Sequence, residues 1–329
     1  MSFRILYFLS IFSLSLCMMA CHRQPAVSPM PVIWDTDIGP DFDDAGAGLI
    51  LHQLADAGKI NLLATVACNT YPNSTRILQV FNGWYGRPQL PVGKPDSAYA
   101  PLVPDNCHWT DSVLAHFPVP VQAQATVQDA VMLYRRLLAA AADHSVVIIS
   151  TGFFSNLAAL LHSGPDSYVQ DSGIQLVRTK VKYLVSMAGS FPQGREFNVY
   201  QDVQAAAYVA DHWPTPVIFC GFEIGDSVFT GIPLLRPDLP LSPIRQTFRI
   251  GLHCWHEEST GHPSWDETAV LAASDTLHQL FDWHPGHIRI YADGTNGWEN
   301  EPKGNQYYLV LKTSRAHLAK LIDDYLLRK

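Results

Sequence analysis

The chain reads as an α/β protein built on a doubly wound, mainly parallel central sheet with flanking helices. Three observations predict this. Short apolar runs rich in β-branched residues alternate with stretches of helical length. Those runs are apolar throughout, as strands covered on both faces are. An acidic loop follows the first of them, at the strand end where open α/β sheets carry their ligands.

Taken in order, Val32, Ile33 and Trp34 form the first strand, and residues 44–57, behind the acidic loop, read as helix. Residues 61–67 are a second strand and 73–85 a second helix, while 86–125 are turn-rich and take no clear assignment. Residues 127–142, dense in Ala and Leu, read as one helix. Residues 145–150 are a fully apolar strand followed by a helix over 155–162. Then come a strand at 183–187, a helix over 202–211 with Asp202 as its N-cap, and a strand at 216–220. Beyond 240, helices lead to an expected hairpin pairing 288–291 with 307–311, and a helix over 314–327 closes the chain. No linker interrupts 32–329, which is read as one domain.

Residues 1–20 have the form of a secretory signal: Arg4 is the only charge, and the apolar run over 5–16 is too short to span a membrane. Cys21, directly after the small Ala20, resembles the acylated cysteine of a bacterial lipobox, and the Pro-rich residues 21–31 suit a tether. The expectation is an exported domain, periplasmic or at the cell surface, held to a bacterial membrane by its N-terminal lipid alone. Cys68, Cys107, Cys220 and Cys254 show no paired spacing, and buried single thiols are their expected state. Across 329 residues, 22 Lys and Arg stand against 30 Asp and Glu, a net charge of −8. That excludes a protein that coats nucleic acid, which needs a basic face, and leaves small molecules and cations as partners.

The acidic loop carries the strongest signal. Asp35, Asp37, Asp41, Asp43 and Asp44 fall within residues 35–44, a density that repels itself unless a cation or strong donors neutralise it. Oxygen ligands without nearby His or Cys favour a hard ion, Ca²⁺ or Mg²⁺. A solvated turn in which Asp43 or Asp44 caps the helix is the plainer reading, but it leaves Pro40 and Phe42 without a purpose. An EF-hand is excluded, because its sixth and twelfth positions would be Pro40 and Gly46. An Asp-x-Asp phosphatase with Asp35 as the phosphorylated residue is a runner-up, weakened by Gly39 two residues after Asp37.

Asp35-Thr36-Asp37-Ile38-Gly39 followed by Asp43-Asp44-Ala45 resembles the hallmark of the inosine–uridine-preferring nucleoside hydrolases, with two additional residues between its halves. Three later segments strengthen the resemblance, together with a last one at 264–269: Thr65 to Asn69, Thr151 to Ala158, and Met187-Ala188-Gly189 with Glu196-Phe197-Asn198. The resemblance implies a Ca²⁺-dependent enzyme that hydrolyses the N-glycosidic bond of ribonucleosides. It implies that Asp37, Asp44, Asp266 and the Thr151 carbonyl hold one Ca²⁺, and that Asp37 is the general base. It also implies that Asp43, Asn69, Glu196 and Asn198 contact the ribose. Departures are Cys68 for a Gly, Ser190 for an Asn, and Trp265 for the His that protonates the leaving base in many members. Trp265 is retained as a substrate contact. His253, His256 and His262 are the nearby candidate acids, although such histidines more often serve packing or lie at the surface. Trp84, Tyr200, Trp255 and Trp265 are all candidates to stack the base. The departures keep open a hydrolase acting on a non-nucleoside substrate, or a non-catalytic ribose-binding lipoprotein. Family members often form dimers or tetramers, so a homo-oligomer is also implied, with no interface identified.

Overall fold

The computed structural model describes residues 28–118, 125–275 and 278–328; the expected signal and Cys21 lie outside them. The strands in chain order are β1 (Met30–Thr36), β2 (Ile60–Ala67), β3 (Val92–Lys94), β4 (Val127–Asp129), β5 (Val146–Thr151), β6 (Val181–Met187), β7 (Gln193–Arg195), β8 (Val217–Cys220), β9 (Phe229–Thr230), β10 (His262–Pro263), β11 (Phe281–Ile290), β12 (Thr295–Asn300) and β13 (Gln306–Leu311). Among the described residues they form an 11-stranded sheet of order β4-β3-β2-β1-β5-β6-β8-β13-β11-β12-β7, with β9 and β10 paired separately. Every neighbour from β4 to β13 is parallel, and the β13-β11-β12-β7 edge is antiparallel.

Alternation along β1 divides its side chains between two cores. Val32 and Trp34 join the cluster that includes Leu49, Phe248 and Val270 from helices on one face. Ile33 joins Leu133, Leu157 and Val209 from helices on the other. Chain order reverses between β1 and β5, so the crevice beyond their C-terminal ends is the topological switch point of a doubly wound sheet. The acidic loop leaves β1 at that crevice.

The structure corrects three expectations from the sequence. Residues 127–142 are not one helix: Val127–Asp129 pairs with β3 as an edge strand, and the helix is Ala130–Ala140. Asp129 sets that boundary, its carboxylate accepting the Met132 N–H at 2.9 Å as an N-cap. In the expected hairpin, Ile288–Ile290 pair with Asn296–Trp298 of β12, and β13 pairs instead with the first half of the long β11. Finally, Cys107 and Cys254 form a disulfide, while Cys68 and Cys220 are buried free thiols. Within the unassigned stretch, the described residues 86–118 contain β3 and a helix over Trp109–His116.

The helix behind the acidic loop, Asp43–Asp56, buries His52 against Asn82. Asn82 donates its amide to Thr65 Oγ1 at 2.9 Å, so its Oδ1 accepts from His52 Nε2–H at 3.1 Å. The other ring nitrogen faces the Arg87 guanidinium at 3.5 Å and has to stay an acceptor. Burial first, and Arg87 second, pull the His52 pKa from 6.5 down to about 3. A depressed folded pKa means stability that is complete above pH 6.5 and is lost as pH falls towards 3. By pH 5 the loss amounts to about 2 kcal/mol. Urea midpoints at pH 7.5 and 5 are therefore expected to fall less in His52→Gln than in the parent; an identical fall in both removes His52 as the cause.

Candidate functional site

At the end of β1 the peptide turns out of the sheet, and three side chains pin the loop that follows. Asn69 Nδ2 donates to the Asp37 carbonyl at 3.2 Å, Ser74 Oγ to the Ile38 carbonyl at 2.6 Å, and Trp109 Nε1 to the Gly39 carbonyl at 3.0 Å. Gly39 takes φ +143°, which suits a residue without Cβ. From β5, paired residue for residue with β1, Thr151 lies opposite Thr36. Gly152 passes so close that a Cβ there would meet the Asp37 nitrogen at 2.5 Å. Small residues at the strand ends thus let two loops meet at the crevice.

Three carboxylates converge there. Asp43 and Asp44 open the Asp43–Asp56 helix, and Asp266 is the second residue of the helix Trp265–Ser274. Each offers an oxygen within 4.8 Å of the others. Asp43 accepts from the backbone N–H groups of Asp44, at 3.1 Å, and Asp266, at 3.0 Å, tying the two helix starts together. Asp44 accepts from the hydroxyls of Thr36 and Thr151. Burial, and then the mutual repulsion of these carboxylates, hold Asp37, Asp43 and Asp266 well above the ordinary carboxylate range. Burial pushes Asp44 up to about 6, with hydrogen bonds from Asp266 and Thr36 restraining it. Such a group is comfortable only when protonated or when a cation sits among its oxygens. The donor set, all hard oxygen, fits a Ca²⁺-class ion.

The three carboxylates line a cavity of about 310 Å³ together with Asp37, Thr151, Glu196, Asn198, Trp255 and Trp265. Glu196 caps the helix Phe197–Gln201, accepting N–H groups of Asn198, Val199 and Gly189 at 2.7–3.1 Å; burial pushes its pKa up to about 7. Asn198 Nδ2 donates to the Met187 carbonyl at 3.0 Å, and its Oδ1 has no donor among the described residues. Trp265 stacks on Phe222 (5.5 Å, 24°) and gives its Nε1–H to the Phe222 carbonyl at 3.1 Å. A larger, open cavity of about 1130 Å³ lies at the opposite end of the sheet, around Met30, Ile60 and Ser145, and gathers no cluster of carboxylates.

Ten of the residues singled out from the sequence thus share one wall: Asp37, Asp41, Asp43, Asp44, Thr151, Glu196, Asn198, Trp255, Trp265 and Asp266. Asp43, expected on the ribose, sits in the close carboxylate triad, and Asp37 stands beside it. Asn69 does not reach the cavity: its Oδ1 takes the N–H groups of Tyr71 and Val103 at 3.0 Å, and its amide serves Asp37 and Val103, so its work is to hold the loops. Asp35 faces the other side of β1, bound by Tyr134 (2.8 Å) and Asn156 (3.0 Å). Fully buried there, it cannot be a phosphorylated nucleophile, and the phosphatase reading falls. Of the stacking candidates, Trp255 and Trp265 line the cavity, whereas Trp84 packs on Phe117 and Tyr200 lies under Arg195. His253 is exposed and paired with Glu258 at 2.7 Å; His262 is buried between Asp41 and Glu257.

Sequence reasoning missed Val103, Asn106 and Phe222, which also line the wall. Phe222 follows β8 at its C-terminal end, so the strand-end rule was available for it. Asn106 lay in the unassigned region and offered no signal. The disulfide explains its placement: Cys107 follows Asn106 and Cys254 precedes Trp255, so one bond staples two stretches of the wall across 147 residues. Replacing both cysteines by Ser is expected to cost about 2–4 kcal/mol of stability and to weaken ligand binding in the cavity. Urea unfolding and a binding titration check this; unchanged affinity would separate the staple from the site.

Fold and site together define a doubly wound α/β protein with a cluster of buried carboxylates, able to hold a cation, at its switch point. The chain belongs to the family described as inosine-uridine preferring nucleoside hydrolase, which matches residues 32–317. It is 30% identical over 211 residues to the pyrimidine-specific ribonucleoside hydrolase RihA of Salmonella enteritidis, a match covering 59% of this chain and 61% of that one. The match thus spans about three-fifths of the curated relative's length. Among solved structures, a purine-preferring ribonucleoside hydrolase from Gardnerella vaginalis shares the fold with a TM-score of 0.72 at 16% identity, covering 90% of this chain and 98% of its own. A plant nucleoside hydrolase does so with a TM-score of 0.69 at 21% identity, covering 92% and 100%.

Proposed function

We propose that this protein hydrolyses the N-glycosidic bond of ribonucleosides to ribose and free base, using one bound Ca²⁺. The observation that carries the reading is the convergence of Asp43, Asp44 and Asp266 beside Asp37 in a cavity that Trp255, Trp265 and Phe222 also line. The names of the relatives point to the same substrate class. Asp37, Asp44, Asp266 and Thr151, with Asp43 beside them, are the residues that would hold the ion, which supplies orientation of the sugar and a water of lowered pKa when bound.

The rest of the chemistry belongs to the chain. Asp37, held above its usual pKa by burial and by the carboxylates around it, accepts the proton of the attacking water. Glu196 and Asn198 orient the ribose hydroxyls. The ring of carboxylates favours the oxocarbenium character that builds on the sugar as the C–N bond breaks. Phe222 and Trp265 offer the base a stacked aromatic surface. Trp265 spends its only N–H on the Phe222 carbonyl, so it donates no proton to the leaving base.

Export and lipid anchoring through Cys21 form part of the proposal. A disulfide suits an oxidising compartment. Met30 and Pro31, expected in the tether, instead begin β1 at the end of the sheet away from the cavity, so a tether ending before Met30 would present the site away from the membrane. The test is ribose release by the purified chain from uridine and inosine with Ca²⁺ and with chelator. Release that stops on chelation supports the proposal. Binding without release from any ribonucleoside overturns it in favour of a ribose-binding protein.

A further inference from the structure

The sequence places Asp41 in the stretch by which the acidic loop exceeds the family hallmark, and the mechanism above leaves it unused. Its surroundings are built with care. Asp41 Oδ1 accepts two bonds, from the Phe42 N–H at 2.7 Å and from His262 Nε2–H at 2.7 Å. His262 gives its other N–H to Glu257 Oε2 at 2.6 Å. Phe42 stacks on the imidazole at 3.9 Å and 27°. A ring that donates from both nitrogens is an imidazolium. Burial opposes that charge, but the adjacent Asp41 carboxylate and the bonds to Asp41 and Glu257 outweigh it and keep the His262 pKa well above its ordinary value. Asp41, Asp43 and His262 lie close enough to offer ligands to a second ion, yet a cation there would face this imidazolium.

Two features point the remaining oxygen at a ligand. Asp41 lines the cavity with 28% of its side chain exposed, and Oδ2 makes no bond among the described residues. His262, bonded to it, meets Trp265 edge-on at 5.7 Å and Trp255 at 5.9 Å, so Asp41 sits by the aromatic end of the cavity. A flat ring held against those aromatics presents its edge to a carboxylate that accepts N–H and repels carbonyl oxygen.

We propose that Asp41 reads the nucleobase, its Oδ2 accepting a hydrogen bond from a base N–H such as that of uracil or hypoxanthine, with His262 and Glu257 as positioning residues. This rests on the reading of the cavity as a nucleoside site, and it is tested with and without turnover. Without turnover, quenching of tryptophan fluorescence compares uracil with 3-methyluracil, which lacks the ring N–H between its carbonyls. With turnover, initial rates compare uridine with 3-methyluridine.

The parent is expected to bind the unmethylated partner about ten- to a hundredfold more tightly, the range of a hydrogen bond to a charged group. In Asp41→Asn, Oδ1 keeps both its bonds while the free acceptor becomes a donor, and the preference is expected to collapse to about twofold. Glu257→Gln leaves Asp41 in place and should lose part of the preference; a merely structural role would lower both affinities equally and keep the ratio. A parent that does not discriminate, a preference surviving in Asp41→Asn, or no quenching by either base overturns the proposal. Discrimination in the quenching assay without ribose release leaves Asp41's role standing and counts against hydrolysis alone.

Discussion

Asp37→Asn is expected to lower kcat for ribose release by about 10²–10⁴-fold, the range removed with a general base. The substitution keeps the shape of the side chain and the backbone bond from Asn69 to the Asp37 carbonyl, so the loop is not disturbed. What it removes is a carboxylate set against the cavity wall and held above its usual pKa by burial, and then by Asp44, Asp43 and Asp41. The unfolding midpoint is expected to hold or rise, because one of several mutually repelling groups becomes neutral. Asp35→Asn supplies the contrast: bonded to Tyr134 and Asn156 inside the opposite core, Asp35 should report in stability and leave the proton transfer intact. A kcat in Asp37→Asn within tenfold of the parent would assign the base to another residue.

Chelation is the second large effect. At pH 7.5, Ca²⁺ at a hundred times its dissociation constant is expected to stabilise the folded chain by about 2.7 kcal/mol, which would raise the thermal midpoint by roughly 4 °C. Chelator should reverse the rise, and Asp266→Ala should abolish it by removing one of the three converging carboxylates. The effect carries a sign with pH. Without the ion, the folded pKa of Asp44 stands at about 6 against 3.8 for an unperturbed carboxyl, so proton uptake stabilises the fold below pH 3.8 and that stability is lost as pH rises through 6. The gap between Ca²⁺-loaded and chelated protein is therefore expected to widen between about pH 4 and 7. A midpoint indifferent to Ca²⁺ at pH 7.5 would sink the cation site.

The chain itself carried the features that depend on near neighbours. Apolar β5, the acidic loop behind β1 and the helices over Asp43–Asp56, Ser155–His162 and Arg315–Leu326 were legible because hydrophobic period and helix boundaries are set within a dozen residues. Asp37, Asp44, Thr151 and Asp266, which line one cavity, were singled out through a motif whose parts lie in such segments. Three things stayed hidden for want of local information. Alternation and loop geometry decide which of five clustered carboxylates enter the cavity, and they turned Asp35 inward and set Asp43 in the triad. Asn69 became a loop pin because Val103, 34 residues on, supplied its partners.

What the sequence determined, then, was the inventory: an alternating α/β chain, an excess of oxygen ligands at one strand end, and aromatics in reserve. The tertiary structure decided the assembly. Only register and packing bring Cys107 to Cys254 across 147 residues, close Asn106 and Trp255 over the crevice, and wedge His262 between Asp41 and Glu257. Those contacts follow from distances in space between groups that no local pattern relates, so they exist only once the two faces of the sheet have packed.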